Sequence, residues 1–420
     1  MATATYIPST SKTDVNGVWR KVQAPLQTAA QYMVDEWDML DEIPTLDVDL
    51  SAREITVPLD LSDDVGIASI AEGGYEARPA SPNPVDATLT WILLNGRFTL
   101  SKTAKWIDQK NKQAMLERQL IFQGRKKLQA LARRLAEYMY GFSTGTMAKV
   151  VSDASGVLTL KDMYGIAGLG STNTPYAVTN PFRVNDYAAV LNPTGPALRT
   201  SGIQKITAVT QATPSITLNS DPSGVSANDL VVFANSLGNT VIGDTDQGNG
   251  LVGLLDATSS TSVHGVSSST YPKWAVGSSD TTGGRFTGVR LHKARQSCLN
   301  NGGGEIDTLL WDQAVERDVI SYLQAAVRFA DPYGMEMDGS PKAKGINIMS
   351  TRFVPQGYAF AFVKESVKKL VLLSKPGTPS WDDAKALIDQ SGFVFTLDYP
   401  CFLTYLNRGN LAVWSGLTTQ

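Results

Sequence analysis

The stretch from Asp108 to Gly141, DQKNKQAMLERQLIFQGRKKLQALARRLAEYMYG, constrains the fold more than any other. Leu116, Leu120, Gly124, Leu128, Leu131, Leu135 and Tyr138 recur every three or four residues. That spacing predicts one continuous helix with these residues on a single stripe. Arg118, Arg125, Lys126 and Arg133 fall on roughly the opposite side. Asp108 suits the N-cap, and Gly141 stands where a helix commonly ends in a left-handed residue. At 1.5 Å per residue the element is roughly 50 Å long, enough to span a whole domain.

Upstream, residues 1–23 are polar and aperiodic and read as an extended arm. Ala24 to Ile43 predicts a short helix with Leu26, Ala29, Ala30, Met33, Trp37 and Leu40 on one face, ended by Pro44. From Arg53 the period changes to two. Ile55, Val57, Leu59 and Leu61 alternate, and a second run covers Val65 to Ile70. The polar tip AEGGYEARPASPNP follows, and Ala87 to Leu100 returns as a β-rich segment. The pattern predicts a long hairpin with limbs of about 15–20 residues, well beyond the usual strand of about 5–6. Such a hairpin projects, and bare strand edges end up paired or covered by another chain. Gly73, Gly74 and Tyr75 at its tip are therefore candidate intersubunit contacts.

Downstream of the helix, short apolar runs broken by Pro, Gly, Asn and Asp recur between about 154 and 236. Five or six strands at that spacing predict a small barrel. Loop-rich sequence continues to about Gly284. Helices are expected at Phe286–Leu299, Gln313–Phe329 and, capped by Ser380, Trp381–Gln390. Strands are expected at Ile306–Trp311, in GINIMSTRFVP and the run GYAFAFVKESVKKLVLLS, and at Phe393–Leu397, Cys401–Leu406 and Leu411–Trp414. The class is α+β, and 420 residues allow two or three domains.

Charge is distributed unevenly. Residues 1–76 hold 14 acidic against 4 basic side chains, and residues 77–150 hold 13 basic against 4 acidic, although the whole chain nets only −3. Two solvated faces account for this as well as a second reading does: the acidic arm of one subunit (Asp35, Glu36, Asp38, Asp41, Glu42) meets the basic helix of a neighbour. Contact of the helix cations with DNA phosphates is a third use of the same face.

Reactive groups are sparse. Cys298 and Cys401 are too few for a disulfide framework or a cysteine metal site. His264 and His292 lack ligand-spaced partners, so no metal and no cofactor is expected. Gly141-Phe142-Ser143-Thr144-Gly145 matches G-x-S-x-G, but a nucleophile elbow needs a strand before it, and here a long helix precedes it. Gly248-Asn249-Gly250-Leu251-Val252-Gly253 matches G-x-G-x-x-G without a βαβ context, with Lys273 rather than an acid about 20 residues on. Neither the basic start of a signal peptide nor an apolar span is present, which leads to the expectation of a soluble, cytoplasm-made protein without catalytic residues.

The order of parts resembles tailed-bacteriophage major capsid proteins of the Hong Kong 97 fold. Local sequence supports the likeness. Tyr271-Pro272-Lys273-Trp274, the helix after it, Gly302-Gly303-Gly304 and the strand ending at Trp311 look like the axial-domain core of such proteins. Val354-Pro355-Gln356-Gly357-Tyr358 is similar to the start of the family's late strand pair. LDYPCFLTYLN corresponds to the returning peripheral strand and NLAVWSGL to the last axial strand.

The resemblance implies an N-terminal arm (1–53), an extended loop (54–105) and a peripheral domain with a spine helix (106–146). An axial domain (147–372) carries a β-barrel-like insertion at about 154–236. The chain then returns to the peripheral domain (373–407) and ends on an axial strand (408–420). It further implies self-assembly into hexamers and pentamers of an icosahedral virion shell around double-stranded DNA, built in the host bacterial cytoplasm. The implied partners are a separate scaffolding protein, a portal protein and a decoration or cement protein, with no membrane. The Lys–Asn cross-link of some members is not assignable: Lys102 and Lys105 lie near the loop base without an identifiable partner. Alternative readings are an encapsulin-type compartment shell and a β-rich hydrolase or surface-binding protein.

Overall fold

The structure is a computed structural model. It describes residues 45–46, 54–59, 61, 84–90, 92–101, 114–140, 145–165, 178–194, 197–234, 251, 263–327, 345–371, 380–381, 385–386, 392–405 and 407–417. The chain divides into two compact units: 1–49, 92–136 and 369–402 form one, and 50–91, 137–368 and 403–420 form the other.

The long helix, α1, runs Ala114–Tyr140 as described, about 40 Å. Leu120, Gly124 and Leu128 are buried, as their spacing requires, while Arg118, Arg125 and Lys126 are exposed. Asp108 and Gly141 lie outside the described residues.

In the first unit, Ile92–Ser101 pairs antiparallel with Gly392–Tyr405 in an unbroken register from Gly392 opposite Ser101 to Cys401 opposite Ile92. Phe98 and Phe395 stand directly opposite, both buried, with rings stacked at 5.1 Å. This corrects the expected hairpin. Its second limb does not continue through residue 100, because a two-stranded ribbon has no interior in which to bury Phe98, whereas a multi-stranded sheet does.

Two further corrections fall in the same sheet. The described residues of the expected helix Trp381–Gln390 are strand instead: Ser380–Trp381 and Lys385–Ala386 pair with the long strand. A ten-residue segment cannot repay helix nucleation alone, and the adjacent strand offers it hydrogen-bonding groups. The two strands expected at 393–397 and 401–406 are one, passing through Pro400, whose fixed φ is compatible with extended backbone. Thr45–Leu46 joins the sheet by parallel pairing with Lys369–Leu370.

In the second unit the described part of the ribbon is short: Glu54–Leu59 antiparallel to Val85–Thr90. Six antiparallel strands form a closed barrel: Thr146–Ala154, Val157–Lys161, Tyr187–Leu191, Leu198–Thr210, Ser215–Leu218 and Leu230–Ala234. Its first strand begins at Thr146, ahead of the expected 154. TMAKVVSDA hides its alternation because the register shifts between Val150 and Ser152, so the buried phase reverses within the strand. Similar shifts interrupt three other pairings. Such bulges add the bend and twist that close a small barrel. Asp229 is fully buried and accepts from Arg199 Nε and a second guanidinium nitrogen at 2.8 and 2.7 Å, and from Ser226 N at 2.8 Å. A buried carboxylate needs that bidentate partner.

The second unit's other core is a mixed five-stranded sheet, in order Ser278–Asp280, Leu411–Trp414, Ala359–Phe362, Thr308–Trp311, Asn347–Ser350. The central three strands are apolar apart from Thr308 and are buried along their whole length, as expected where both faces are covered. Across them Trp311, Ala359 and Trp414 lie in one row, and Leu309, Ala361 and Ala412 in the next. The alanines leave room for Phe286, whose ring meets Trp311 and Trp414 edge-on at 5.6 and 5.2 Å. Helices α2 (Gly288–Gly302) and α3 (Gln313–Val327) contribute Ala294, Cys298, Val315 and Val319 to the same core.

Asp312 precedes α3, where its Oδ2 accepts from Ala314 N at 3.2 Å. Burial pushes its carboxyl up to about 6, against the backbone donors and Arg317 that hold it down. The folded state therefore binds a proton more tightly than the unfolded chain between about pH 4 and 6. Stability from this group falls as pH rises through that window and stays lost above it. Asp312→Asn keeps a side-chain acceptor without the charge. It is expected to raise stability at pH 8 by about 1–2 kcal/mol, a gap that closes toward pH 4. Thermal melts of both proteins across pH check this; identical melting at pH 8 would refute it.

Candidate functional site

Of the residues singled out for assembly, the four that are described, Arg118, Arg125, Lys126 and Arg133, lie on α1. Positions 118, 122, 125 and 126 fall within about a third of the helix circumference, and all four side chains are exposed. Phe122, which the charge pattern did not single out, is 64% exposed, and Lys126 Nζ sits 5.9 Å from its ring centroid. Arg133, expected on the same open face, is half-buried. Gly73, Gly74, Tyr75 and the acidic positions Asp35, Glu36, Asp38, Asp41 and Glu42 lie outside the described residues, as do Lys102 and Lys105.

The opposite end of α1 holds a feature the leucine spacing does not announce. Glu137 is 1% exposed, beside Tyr140 and Tyr164, both buried. Burial raises both tyrosine hydroxyls, and the charge of Glu137 raises Tyr164 further.

The second arrangement is a junction around the turn Asn407-Arg408-Gly409-Asn410. Asn407 Oδ1 accepts from Gly409 N at 3.0 Å and its Nδ2 donates to Gly302 O at 2.9 Å. Asn410 Oδ1 accepts from Gly304 N at 3.0 Å and its Nδ2 donates to Ser366 Oγ at 2.8 Å. Gly277 N donates to Arg408 O, and Gly277 O accepts from Ser297 Oγ and Asn301 Nδ2. Four segments distant in sequence are thereby joined: the end of α2, the turn Asn407–Asn410, Ser366 and the loop at Gly277. None of their motifs signals the others, so the junction is not legible in the sequence.

Among the described residues neither histidine lies in a metal-ligating cluster. His264 occupies a tight turn at φ 54, and its carbonyl accepts from Thr88 N of the ribbon. Burial, with Arg408 nearby, pushes its imidazole down to about 4. Arg408 is itself buried, with its guanidinium 5.9 Å from the Trp274 ring, and its positive charge opposes a metal cation there. His292 is exposed on α2. The Cys298 thiol is pushed up to about 12 by burial and donates to Leu411 O at 3.4 Å, so it is a packing residue. Among the described residues no group of three or more His, Cys, Asp or Glu could hold a metal ion. The helix α1 before residues 141–145 and the strand after them reverse the strand–turn–helix order of a nucleophile elbow. Of the glycine-rich 248–253 stretch only Leu251, buried, is described.

No family model matches the chain, and no curated protein matches it in sequence. Among solved structures it is similar to the capsid asymmetric unit of cyanophage A-1(L), at 13% identity and TM-score 0.49, covering 91% of this chain and 93% of that one. It is similar to a capsid chain of the empty GTA particle at 11% identity and TM-score 0.44, with 90% and 89% covered. The SrpI encapsulin complex of Synechococcus elongatus gives 10% identity and TM-score 0.40, with 91% and 87% covered.

Proposed function

We propose that this chain is a major capsid protein, the repeating subunit of an icosahedral phage head. The observation that carries the reading is the path of the chain. It lays down Ile92–Ser101, enters α1, and passes through the barrel and the five-stranded sheet. It then comes back as Gly392–Tyr405 to pair with Ile92–Ser101 over ten residues. It leaves once more to place Leu411–Trp414 inside the five-stranded sheet. Each unit is completed by late sequence, so neither is a bead on a string. This path supports the reading in which the chain crosses twice between a peripheral and an axial domain, with the barrel taken as the insertion and α1 as the spine helix.

The role is mechanical. Many copies tile a closed shell, and many weak contacts act together to hold it. No residue takes a catalytic part. The reading supplies the partners: further copies in hexamers and pentamers, a separate scaffolding protein, a portal protein, packaged double-stranded DNA and a decoration protein. Electron microscopy of the purified chain, alone and with its scaffold, is expected to show capsomers and closed shells. Discrete small particles under both conditions would defeat the proposal, and shells filled with an enzyme instead of nucleic acid would move it to a cargo compartment.

A further inference from the structure

The exposed stripe of α1 combines two features that rarely stay open to water together. Phe122 presents most of its ring to solvent, and cations stand within one turn on both sides: Arg118 before it, Arg125 and Lys126 after it. A solvent-exposed aromatic bordered by long cationic side chains is the composition of a binding hot spot rather than of a solvated helix face. Its complement has to bring negative charge and an apolar group together.

One stretch of the chain has that composition. Residues 35–42, Asp-Glu-Trp-Asp-Met-Leu-Asp-Glu, place five carboxylates around Trp37, Met39 and Leu40. They lie in the acidic first 76 residues, just ahead of the strand Thr45–Leu46. DNA fits the cations but gives no reason for the aromatic at their centre, and a chain netting −3 is not cationic as a whole.

We infer that the Arg118–Phe122–Arg125–Lys126 stripe docks the acidic segment 35–42 of a second copy of this chain, with Trp37 against the Phe122 ring. The inference rests on the shell reading and gives it a specific contact. In this arrangement Lys126, now lying over Phe122, turns to a carboxylate of the incoming segment as the indole takes its place. The aromatic contact sets position, and the ionic contacts set register and partner choice. The ionic part is exposed, so it weakens with salt as the Debye length shrinks from about 10 Å at 0.1 M to about 3 Å at 1 M.

The test uses the full chain with the photoreactive residue benzoyl-phenylalanine in place of Phe122. Because Phe122 is largely exposed, the larger ring fits without repacking the core. Illumination of assembled protein is expected to give a product of two chain masses, and mass spectrometry to map the link to the tryptic peptide 22–53. Arg118→Glu, Arg125→Glu and Lys126→Glu together are expected to lower the yield at least tenfold, and 1 M salt to lower it in the same direction. Links that stay within one chain, that go to another peptide or that are nuclease-sensitive overturn the inference. If shells form with such links, the shell reading survives and only this contact fails. A chain that remains monomeric and unlinked overturns both.

Discussion

Gly277→Ala is expected to destabilise the second unit by about 3 kcal/mol or more, lowering its melting temperature by roughly 6–12 °C. A Cβ at Gly277 would stand 2.0 Å from Gly409 O and 2.9 Å from Cys298 Sγ. The first is a backbone oxygen and cannot rotate away, so one of two packed segments has to move. Gly302→Ala meets the same turn from the other side, with Asn410 Oδ1 at 2.0 Å and Gly409 C at 2.5 Å. Either shift breaks the hydrogen bonds by which Asn407 and Asn410 hold the end of α2. Gly288→Ala is the control. A Cβ there meets nothing within 4 Å, and the lost chain entropy of glycine makes it neutral or slightly stabilising. Circular dichroism melts compare the three. A Gly277→Ala protein that melts with the wild type would show that the turn is not held as described.

The larger effect is expected at Leu128→Asp, which should abolish cooperative folding of the first unit. Leu128 is 1% exposed on α1. Truncating such a leucine costs about 2–5 kcal/mol, and a carboxylate without a partner adds several more. That exceeds what most domains can lose, given a total stability of about 5–15 kcal/mol. Gln129→Asp, one position on and exposed, is expected to change stability by less than about 0.5 kcal/mol. Expression, solubility and melting of the pair separate a buried stripe from general intolerance of negative charge in the helix. A soluble Leu128→Asp protein with normal melting would mean the apolar stripe is not the packed face.

What was readable in the residues depended on whether an element's signal is local. The helix α1 was readable because 3.6-residue periodicity is written within the element, and burial of Leu120, Gly124 and Leu128 follows it. The central strands of the five-stranded sheet were readable because burial on both faces leaves a continuous apolar run. The barrel was readable as a group of short strands, while its first strand was lost where a bulge reversed the alternation. Trp381, Lys385 and Ala386 show the converse: they belong to a helical sequence pattern, but pairing with Gly392–Tyr405 prevails there.

For the candidate docking face, sequence singled out Arg118, Arg125 and Lys126 by charge and spacing. Only exposure identified Phe122, since an aromatic on a helix is ordinarily a core residue. Arg133 shows the limit in the other direction: its charge suggested an open position, and packing half-covers it.

By itself, then, the sequence determined the helix, the apolar strands and the opposed charges of its first two segments, because each depends on neighbours a few residues away. Tertiary structure alone decided that residue 92 pairs with residue 401 and that Gly277 must be glycine because of Gly409. These depend on contacts between residues a hundred or more positions apart, and no local period encodes them.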